Sequence, residues 1–356
     1  MGILLLGAAL TLAFANGAND NFKGFATVWG SGALDYRRAL ALATVATVAG
    51  SVASLVLAQG LVKAFSGKGL VPDAAAADPV FIFAVAMGAA LTVLVATRAG
   101  LPVSTTHALV GALVGAGAAG GAVRLEALAN TFLVPLLVSP LLAAALGWIA
   151  FRAARTLKRV PDCACVSTAR EMALNQGGAV AMGRSRLDLR VDHAAGCPAG
   201  PGTLRLTTGR TGERLHLLSA ASICFARGVN DTPKLAALLI AGQLMGASVS
   251  AAAVGAIMGI GGLVFARRVA ETMSRRVARM DAAQGLSANL VTAGLVLFAS
   301  KWGVPVSTTH VSVGAIAGAG AGARSLDGPV LHGILLSWVA TLPLAAALAW
   351  GAASLM

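Results

Sequence analysis

The chain has 356 residues, of which 57% are hydrophobic and 12% are charged, and its formal net charge is +13. A soluble domain of this composition would lack the polar surface that water requires, so the proportions exclude one and indicate a membrane protein. The positive charge is explained more simply by membrane orientation than by nucleic-acid binding, because the basic residues lie in segments that connect apolar stretches.

Apolar stretches long enough for a transmembrane helix, roughly 17–25 residues, occur in two groups of five. They lie near residues 2–34, 39–62, 79–97, 103–122 and 127–151, then near 215–239, 248–266, 285–302, 306–323 and 329–355. The first is interrupted by several glycines, which predicts a helix that breaks near the middle of the membrane. We therefore predict an all-α polytopic membrane protein with broken helices near the midplane.

A polar box lies inside the first apolar stretch of each group. Gly-Ala-Asn19-Asp20 recurs as Gly-Val-Asn230-Asp231. Carboxylate and amide oxygens suit hard cations, so Asn19, Asp20, Asn230 and Asp231 are candidates for cation or proton coupling. An isolated carboxylate is unfavourable in hydrocarbon, and each one needs a cation, a proton or a basic neighbour.

A lysine follows each aspartate by three residues and lies on the same helical face. Lys23 and Lys234 have two interpretations. They form structural ion pairs with the carboxylates, or they contact a bound anion and take the space of a metal cation.

A second box, Pro-Val-Ser-Thr-Thr-His, occupies residues 102–107 and again residues 305–310. Proline and hydroxyl residues favour a helix start, and a helix N-terminus attracts anions through its free N–H groups and dipole. The candidate oxyanion ligands are Ser104, Thr105, Thr106, Ser307, Thr308 and Thr309. The alternative is ordinary helix capping by the hydroxyl groups.

Each second box ends in a histidine, His107 in the first and His310 in the second. These side chains are candidates for a proton relay, or for orienting the hydroxyl groups and packing between helices. An intramembrane hydrolase that uses Ser104 and His107 is a less favoured reading, because two intact copies suit a symmetric site better than a single nucleophile.

The connection between the two groups, residues 152–214, carries eleven basic and five acidic residues and contains short β-like runs. Placing the basic connections in the cytoplasm gives five crossings per half, which makes the halves inverted repeats with both termini outside. The predicted domains are thus a first repeat at 1–151, a cytoplasmic connection at 152–214 and a second repeat at 215–356. Cys163, Cys165, His193 and Cys197 form a formal zinc set, but free thiols explain their spacing better.

The four boxes, in this order, resemble those of the inorganic phosphate transporter (PiT) family, over nearly all of both apolar halves. The resemblance implies cation-coupled phosphate transport by alternating access, with Asn-Asp boxes tied to cation and phosphate binding and Ser-Thr-Thr boxes that contact phosphate. It also leaves a sulfate or other oxyanion permease of the same family as the alternative. The family pattern continues Asn-Asp-x-Ala-Asn, whereas this chain has a lysine in place of the last asparagine in both halves. That departure disfavours sodium as the coupling ion.

We therefore expect a secondary phosphate transporter, not an enzyme, with no cofactor and with a proton or sodium as the coupling ion. Its expected partners are inorganic phosphate and the lipid bilayer, with a homodimer left open and nucleic acid excluded. The expected location is a bacterial inner membrane, and no signal peptide is expected because the N-terminus lacks a basic region.

Overall fold

The fold is seen in a computed structural model that describes residues 1–121, 123–157, 163–174, 180–192, 204–276 and 282–356. These residues divide into two units. One consists of residues 1–151 and 216–356, and the other of residues 152–215. The larger unit is α-helical in the part of the chain that the structure describes.

The first half of the chain contributes nine helices to the described residues. They are α1 (Gly2–Asp20), α2 (Ala26–Gly30), α3 (Tyr36–Leu57), α4 (Gln59–Phe65), α5 (Asp73–Ala76), α6 (Pro79–Arg98), α7 (Thr105–Ala119), α8 (Leu125–Ala127) and α9 (Val134–Leu157). A 3₁₀ turn at Lys23–Phe25 links α1 to α2, and a π-helical segment at Leu128–Leu133 joins α8 to α9.

The second half repeats this order with fewer interruptions. Its helices are α10 (Thr208–Ala241), α11 (Ala247–Phe265), α12 (Arg267–Glu271), α13 (Ala282–Lys301), α14 (Thr308–Ala323) and α15 (Gly328–Ser354). A π-helical segment at Thr272–Arg276 follows α12. The predicted break of the first stretch therefore lies between α1 and α2, whereas α10 is continuous through its Asn-Asp box.

Seven helical segments in the described residues are long and apolar enough to cross a bilayer. They are Gly2–Gly30, Tyr36–Leu57, Pro79–Arg98, Leu125–Thr156, Ala247–Phe265, Ala283–Lys301 and Gly328–Ser354. The remaining three of the ten predicted stretches correspond to α7, α10 and α14. The helix α7 has 15 residues and α14 has 16. At 1.5 Å per residue these helices extend roughly 22–24 Å, short of a hydrocarbon core of about 30 Å.

The short helices of the two halves pack on the last helix of the opposite half. Helix α7 lies against α15, and α14 lies against α9. Glycines in both short helices touch backbone carbonyls of the partner: Gly111 on Leu342, Gly115 on Ala346, Gly314 on Pro140 and Gly318 on Ala144. A side chain at these positions would overlap the partner backbone, so the glycine spacing is what allows the close crossing.

In its described residues the smaller unit contains three strands, in agreement with the β-like runs of the connection. They are β1 (Cys163–Leu174), β2 (Val180–Asp192) and β3 (Leu204–Thr207), in the order β2-β1-β3 with antiparallel pairing. Cys163 pairs with Asp192 on one side and with Thr207 on the other. His193 and Cys197 of the formal zinc set lie outside the described residues, so that set is not tested.

Candidate functional site

The Asn-Asp boxes lie at equivalent positions of α1 and α10, but α1 ends at its box whereas α10 continues through it. Helix α1 ends at Asp20, and the chain turns before the 3₁₀ segment at Lys23. Gly24 in this segment lies against the Ala220 carbonyl and Cys224 of α10, which leaves no room for a side chain. The equivalent residue of α10 is Leu235, and that helix continues. The break in α1 therefore coincides with the close approach of α10.

The second boxes begin the short helices α7 and α14. The Ser104 hydroxyl accepts a hydrogen bond from the His107 N–H at 3.0 Å, and Ser307 accepts one from the His310 N–H at 3.1 Å. Both serines have extended backbone and act as N-caps. The capping interpretation therefore applies to the two serines, while Thr105, Thr106 and Thr309 have partners outside their own helices.

Lys23 lies in a cage of oxygen atoms and is only 3% exposed. Its ammonium group donates to the Asn19 side-chain oxygen at 3.0 Å, the Val103 carbonyl at 3.0 Å and the Thr309 hydroxyl at 2.6 Å. It also forms an ion pair with Asp20. A carboxylate, an amide oxygen, a carbonyl and a hydroxyl are the ligands that a hard metal ion takes. The Lys23 ammonium group is therefore surrounded by oxygen atoms of the kinds that bind hard cations.

Lys234 repeats this arrangement in the second half and is 1% exposed. It donates to the Val306 carbonyl at 2.7 Å and to the Thr106 hydroxyl at 2.8 Å, and it lies 3.5 Å from Asp231. Each lysine therefore contacts the valine carbonyl in the second box of its own half and a threonine in the second box of the opposite half.

The two threonines also join the boxes directly. Thr106 donates to the Val306 carbonyl at 3.3 Å, and Thr309 donates to the Val103 carbonyl at 2.9 Å. The N-terminal ends of α7 and α14 therefore meet at the centre of the molecule's polar site. The two Pro-Val-Ser-Thr-Thr-His boxes, which are about 200 residues apart in the sequence, are thus in contact in the structure.

The first threonines of the boxes differ in their partners. Thr105 accepts from the Asn16 amide at 3.0 Å and donates to Asp20 at 3.4 Å. Thr308 occupies the equivalent place at the start of α14 and is 6% exposed.

The asparagines of the first boxes hold the segments that lead into the short helices. The Asn19 amide donates to Thr97 at 2.9 Å and to the Leu101 carbonyl at 3.0 Å. Asn230 accepts from Ser300 at 3.1 Å and donates to the Val306 carbonyl at 3.4 Å. Their observed contacts position the second boxes.

Arg227 is a site residue that the sequence reasoning missed. It is 1% exposed, its Nε lies 3.5 Å from Asp231, and its Nη2 donates to the Asn16 side-chain oxygen at 2.5 Å. It also donates to Asn21 at 3.2 Å and lies 3.4 Å from Thr47. A charged residue inside an apolar stretch, four residues before Asp231, was a signal that could have found it.

The formal charges of the site do not cancel. Three basic residues, Lys23, Arg227 and Lys234, face two acidic residues, Asp20 and Asp231, and all five are at most 3% exposed. Subtracting two from three leaves one positive charge in a buried environment. Such an excess is unfavourable without an anion.

The two histidines pack together rather than with the charged residues. The ring centroids of His107 and His310 are 4.4 Å apart, and His310 stacks on Trp338 at 3.8 Å. Trp338 in turn donates to the Pro102 carbonyl at 3.3 Å. The histidines line an apolar cavity of about 640 Å³, and their observed contacts are those of the packing role.

Comparison with known proteins identifies relatives over almost the whole chain. A family model described as the phosphate transporter family matches residues 16–349. A Pyrococcus furiosus protein whose name is that of a phosphate permease is 29% identical and aligns with 97% of this chain and 93% of its own length. The chloroplastic inorganic phosphate transporter 2-1 of Arabidopsis thaliana is 28% identical over 95% of this chain and 69% of its own.

A solved structure titled as the sodium-dependent phosphate transporter has a similar fold. Its TM-score is 0.77 at 19% identity, and the alignment covers 99% of this chain and 98% of that one. At this identity the match shows a shared fold.

Proposed function

The chain belongs to the phosphate transporter family, and we propose that it carries inorganic phosphate across a cell membrane by alternating access between two inverted halves. The observation that carries the proposal is the buried excess of one positive charge at the place where two helix N-termini meet. Phosphate supplies the negative charge that this site lacks, and hydroxyl and N–H donors match its oxygens.

The proposed binding place lies between the boxes at the starts of α7 and α14. Thr105, Thr106, Thr308 and Thr309 offer hydroxyl groups there, and the first turns of both helices offer N–H groups. Lys23 and Lys234 supply charge from either side. A phosphate that enters competes with the protein oxygens for these lysines. When phosphate binds, the lysines must give up some of their bonds to protein oxygens, and when it leaves they must form them again.

The proposed coupling ion is a proton. The oxygen cage around Lys23 is already occupied by an ammonium group, and a sodium ion placed beside it would raise the excess positive charge from one to two. Adding unbalanced charge to a buried site is strongly unfavourable. A proton that binds the Asp20 carboxylate beside Lys23 adds the same charge, but it forms a bond with an oxygen atom already present and needs no ion site of its own, so it is the smaller demand on the site.

The proposed orientation follows the basic connections. Residues 152–214 lie in the cytoplasm, and both termini lie outside it, as the excess of Lys and Arg in the connections favours. In this arrangement residues 152–214 connect the halves and contribute none of the polar boxes.

The test is uptake of labelled phosphate and, separately, labelled sulfate into proteoliposomes containing the purified chain. Proton and sodium gradients are imposed one at a time. Phosphate uptake driven by a proton gradient, with sulfate excluded, is the expected result. Sulfate uptake in preference to phosphate would overturn the substrate, and an absence of uptake under all gradients would overturn the transport function.

A further inference from the structure

A second cluster of buried polar side chains lies in the helical unit apart from the charged site. We name Thr27, His216, Ser219 and Asn289 the polar seam; they come from α2, α10 and α13, and each is at most 3% exposed. His216 Nε2 lies 2.9 Å from the Thr27 hydroxyl, which donates to the Asn289 side-chain oxygen at 3.2 Å. The Asn289 amide donates to Ser219 at 3.2 Å, and Ser219 donates to the His216 carbonyl at 2.7 Å. The four residues close a ring of hydrogen bonds.

The repeat of the chain allows each of these residues to be compared with its equivalent. Adding 211 relates α1 to α10, as Asp20 relates to Asp231. Adding 203 relates α6 to α13, because Thr97 and Ser300 bond to the equivalent residues Asn19 and Asn230. We name the four equivalents the apolar seam: Leu5 for His216, Ala8 for Ser219, Ala86 for Asn289 and Leu238 for Thr27.

The residues of the apolar seam are also buried in the structure. Its four residues belong to one hydrophobic cluster, and each is at most 2% exposed. Equivalent places in the two halves are therefore closed in different ways, one by hydrogen bonds between neutral polar groups and one by apolar packing. The polar boxes are duplicated, but the helix contacts beside them are not.

The polar seam lies between the charged site and the membrane face at which α10 begins. Thr27 follows Lys23 by four residues, and Ser219 precedes Asp231 by twelve, roughly 18 Å along a helix. When the helices separate there, water can replace each hydrogen bond of the ring. Separation at the apolar seam instead exposes alanine and leucine side chains, which water does not compensate.

We infer that phosphate moves between the charged site and this membrane face along the polar seam, which acts as a gate, while the apolar seam is the stronger closure on the opposite face. The inference rests on the proposed transport of phosphate. Imidazole, amide and hydroxyl groups suit such a path because they donate hydrogen bonds to an oxyanion without holding it through charge.

The first test compares two identical substitutions at buried threonines. Thr27→Val removes the hydroxyl that joins α10 to α13, whereas Thr292→Val removes a hydroxyl that, among the described residues, bonds to the Ala288 carbonyl of its own helix. Equilibrium binding of phosphate to purified protein and uptake into proteoliposomes are both measured. We expect Thr27→Val to bind phosphate as the parent does but to transport it at least about five-fold more slowly, while Thr292→Val matches the parent.

Equal uptake by the two variants would overturn the proposed gate. Loss of phosphate binding in Thr27→Val would also overturn it, because Thr27 would then belong to the binding site. Failure of the parent itself to transport phosphate would overturn the proposed function instead. The two failures are therefore distinguishable.

The second test reports on water access and does not depend on the threonine variant. Ser219→Cys and its equivalent Ala8→Cys are made in a chain whose four natural cysteines are replaced by serine, and both are treated with a membrane-impermeant thiol reagent. We expect Ser219→Cys to react from the face at which α10 begins, and to react faster than Ala8→Cys reacts from either face. Equal rates for both residues, or labelling of Ser219→Cys from the opposite face, would overturn the inference.

Discussion

Asn16 and Arg227 occupy equivalent positions, four residues before Asp20 and Asp231, and their side chains bond to each other at 2.5 Å. Asn16 also donates to Asp231 at 3.3 Å and lies 3.4 Å from Asp20, so it bridges the two carboxylates. The two halves thus match in the aspartate and the lysine of the charged site, but they differ in charge at this position. The difference produces the excess positive charge of the site.

Replacing Arg227 with glutamine removes that excess. Because an anion is then no longer needed to balance the site, we expect the KM for phosphate to rise at least about ten-fold, which corresponds to about 1.4 kcal/mol. Arg38→Gln is the matched control, since Arg38 pairs with Asp35 on an exposed surface. An unchanged KM in a folded Arg227→Gln protein would contradict a role for this charge in anion binding.

The double substitution Lys23→Asn with Lys234→Asn empties both ammonium sites and restores the family pattern. We expect phosphate uptake to become sensitive to sodium, because the oxygen atoms that now bind the lysines become available to a metal ion. Uptake is measured across sodium concentrations at fixed pH, with the exposed Lys63→Asn as control. The idea fails if uptake by the parent already requires sodium and ignores a proton gradient.

Thr105→Val and Thr308→Val each remove one hydroxyl group with little change in volume. If both boxes bind phosphate, each variant should raise the KM about 5- to 100-fold, as expected for an unpaired polar partner of an anion. Thr92→Val serves as the control, because Thr92 bonds to the Gly88 carbonyl of its own helix. A variant that transports like the parent shows that its box acts as structural capping alone.

Cysteines introduced into residues 152–214 test the proposed orientation. We expect an impermeant thiol reagent to label them only when it is supplied from the cytoplasmic side, because basic connections are retained there. Labelling from outside intact cells would reverse the orientation of the whole chain.

Gly115→Ala tests the close crossing of α7 and α15. The new methyl group would overlap the Ala346 carbonyl, so we expect a loss of about 1–3 kcal/mol in stability, measured as a lower Tm in detergent. Gly333→Ala is the control, since open space surrounds Gly333 within α15, and its substitution should leave stability unchanged or higher. Equal Tm values for the two variants would exclude a tight crossing at Gly115.

The duplicated boxes predicted the family and the helical fold, and the structure brings their aspartates and threonines together, but Asn16 and Arg227 lie outside the boxes. They did not predict which contacts cross between halves, because spacing along a helix relates Lys23 to Asp20 but carries no information on Thr309. The capping role of Ser104 and Ser307 was one of two readings, and only backbone geometry separates them. The different ends of the two helices also escaped prediction: the chain breaks after α1 but continues through α10. The sequence does not show that Gly24, which follows α1, lies against α10.

Each lysine bonds to a threonine of the opposite half, and this has a consequence for the synthesis of the chain. Lys23 reaches its oxygen partner Thr309 across 286 residues. When the first half leaves the ribosome, Asp20 and Lys23 can pair, but the hydroxyl that completes the cage has not yet been made. The charged centre is therefore completed only after α14 has been synthesised and has packed against the first half.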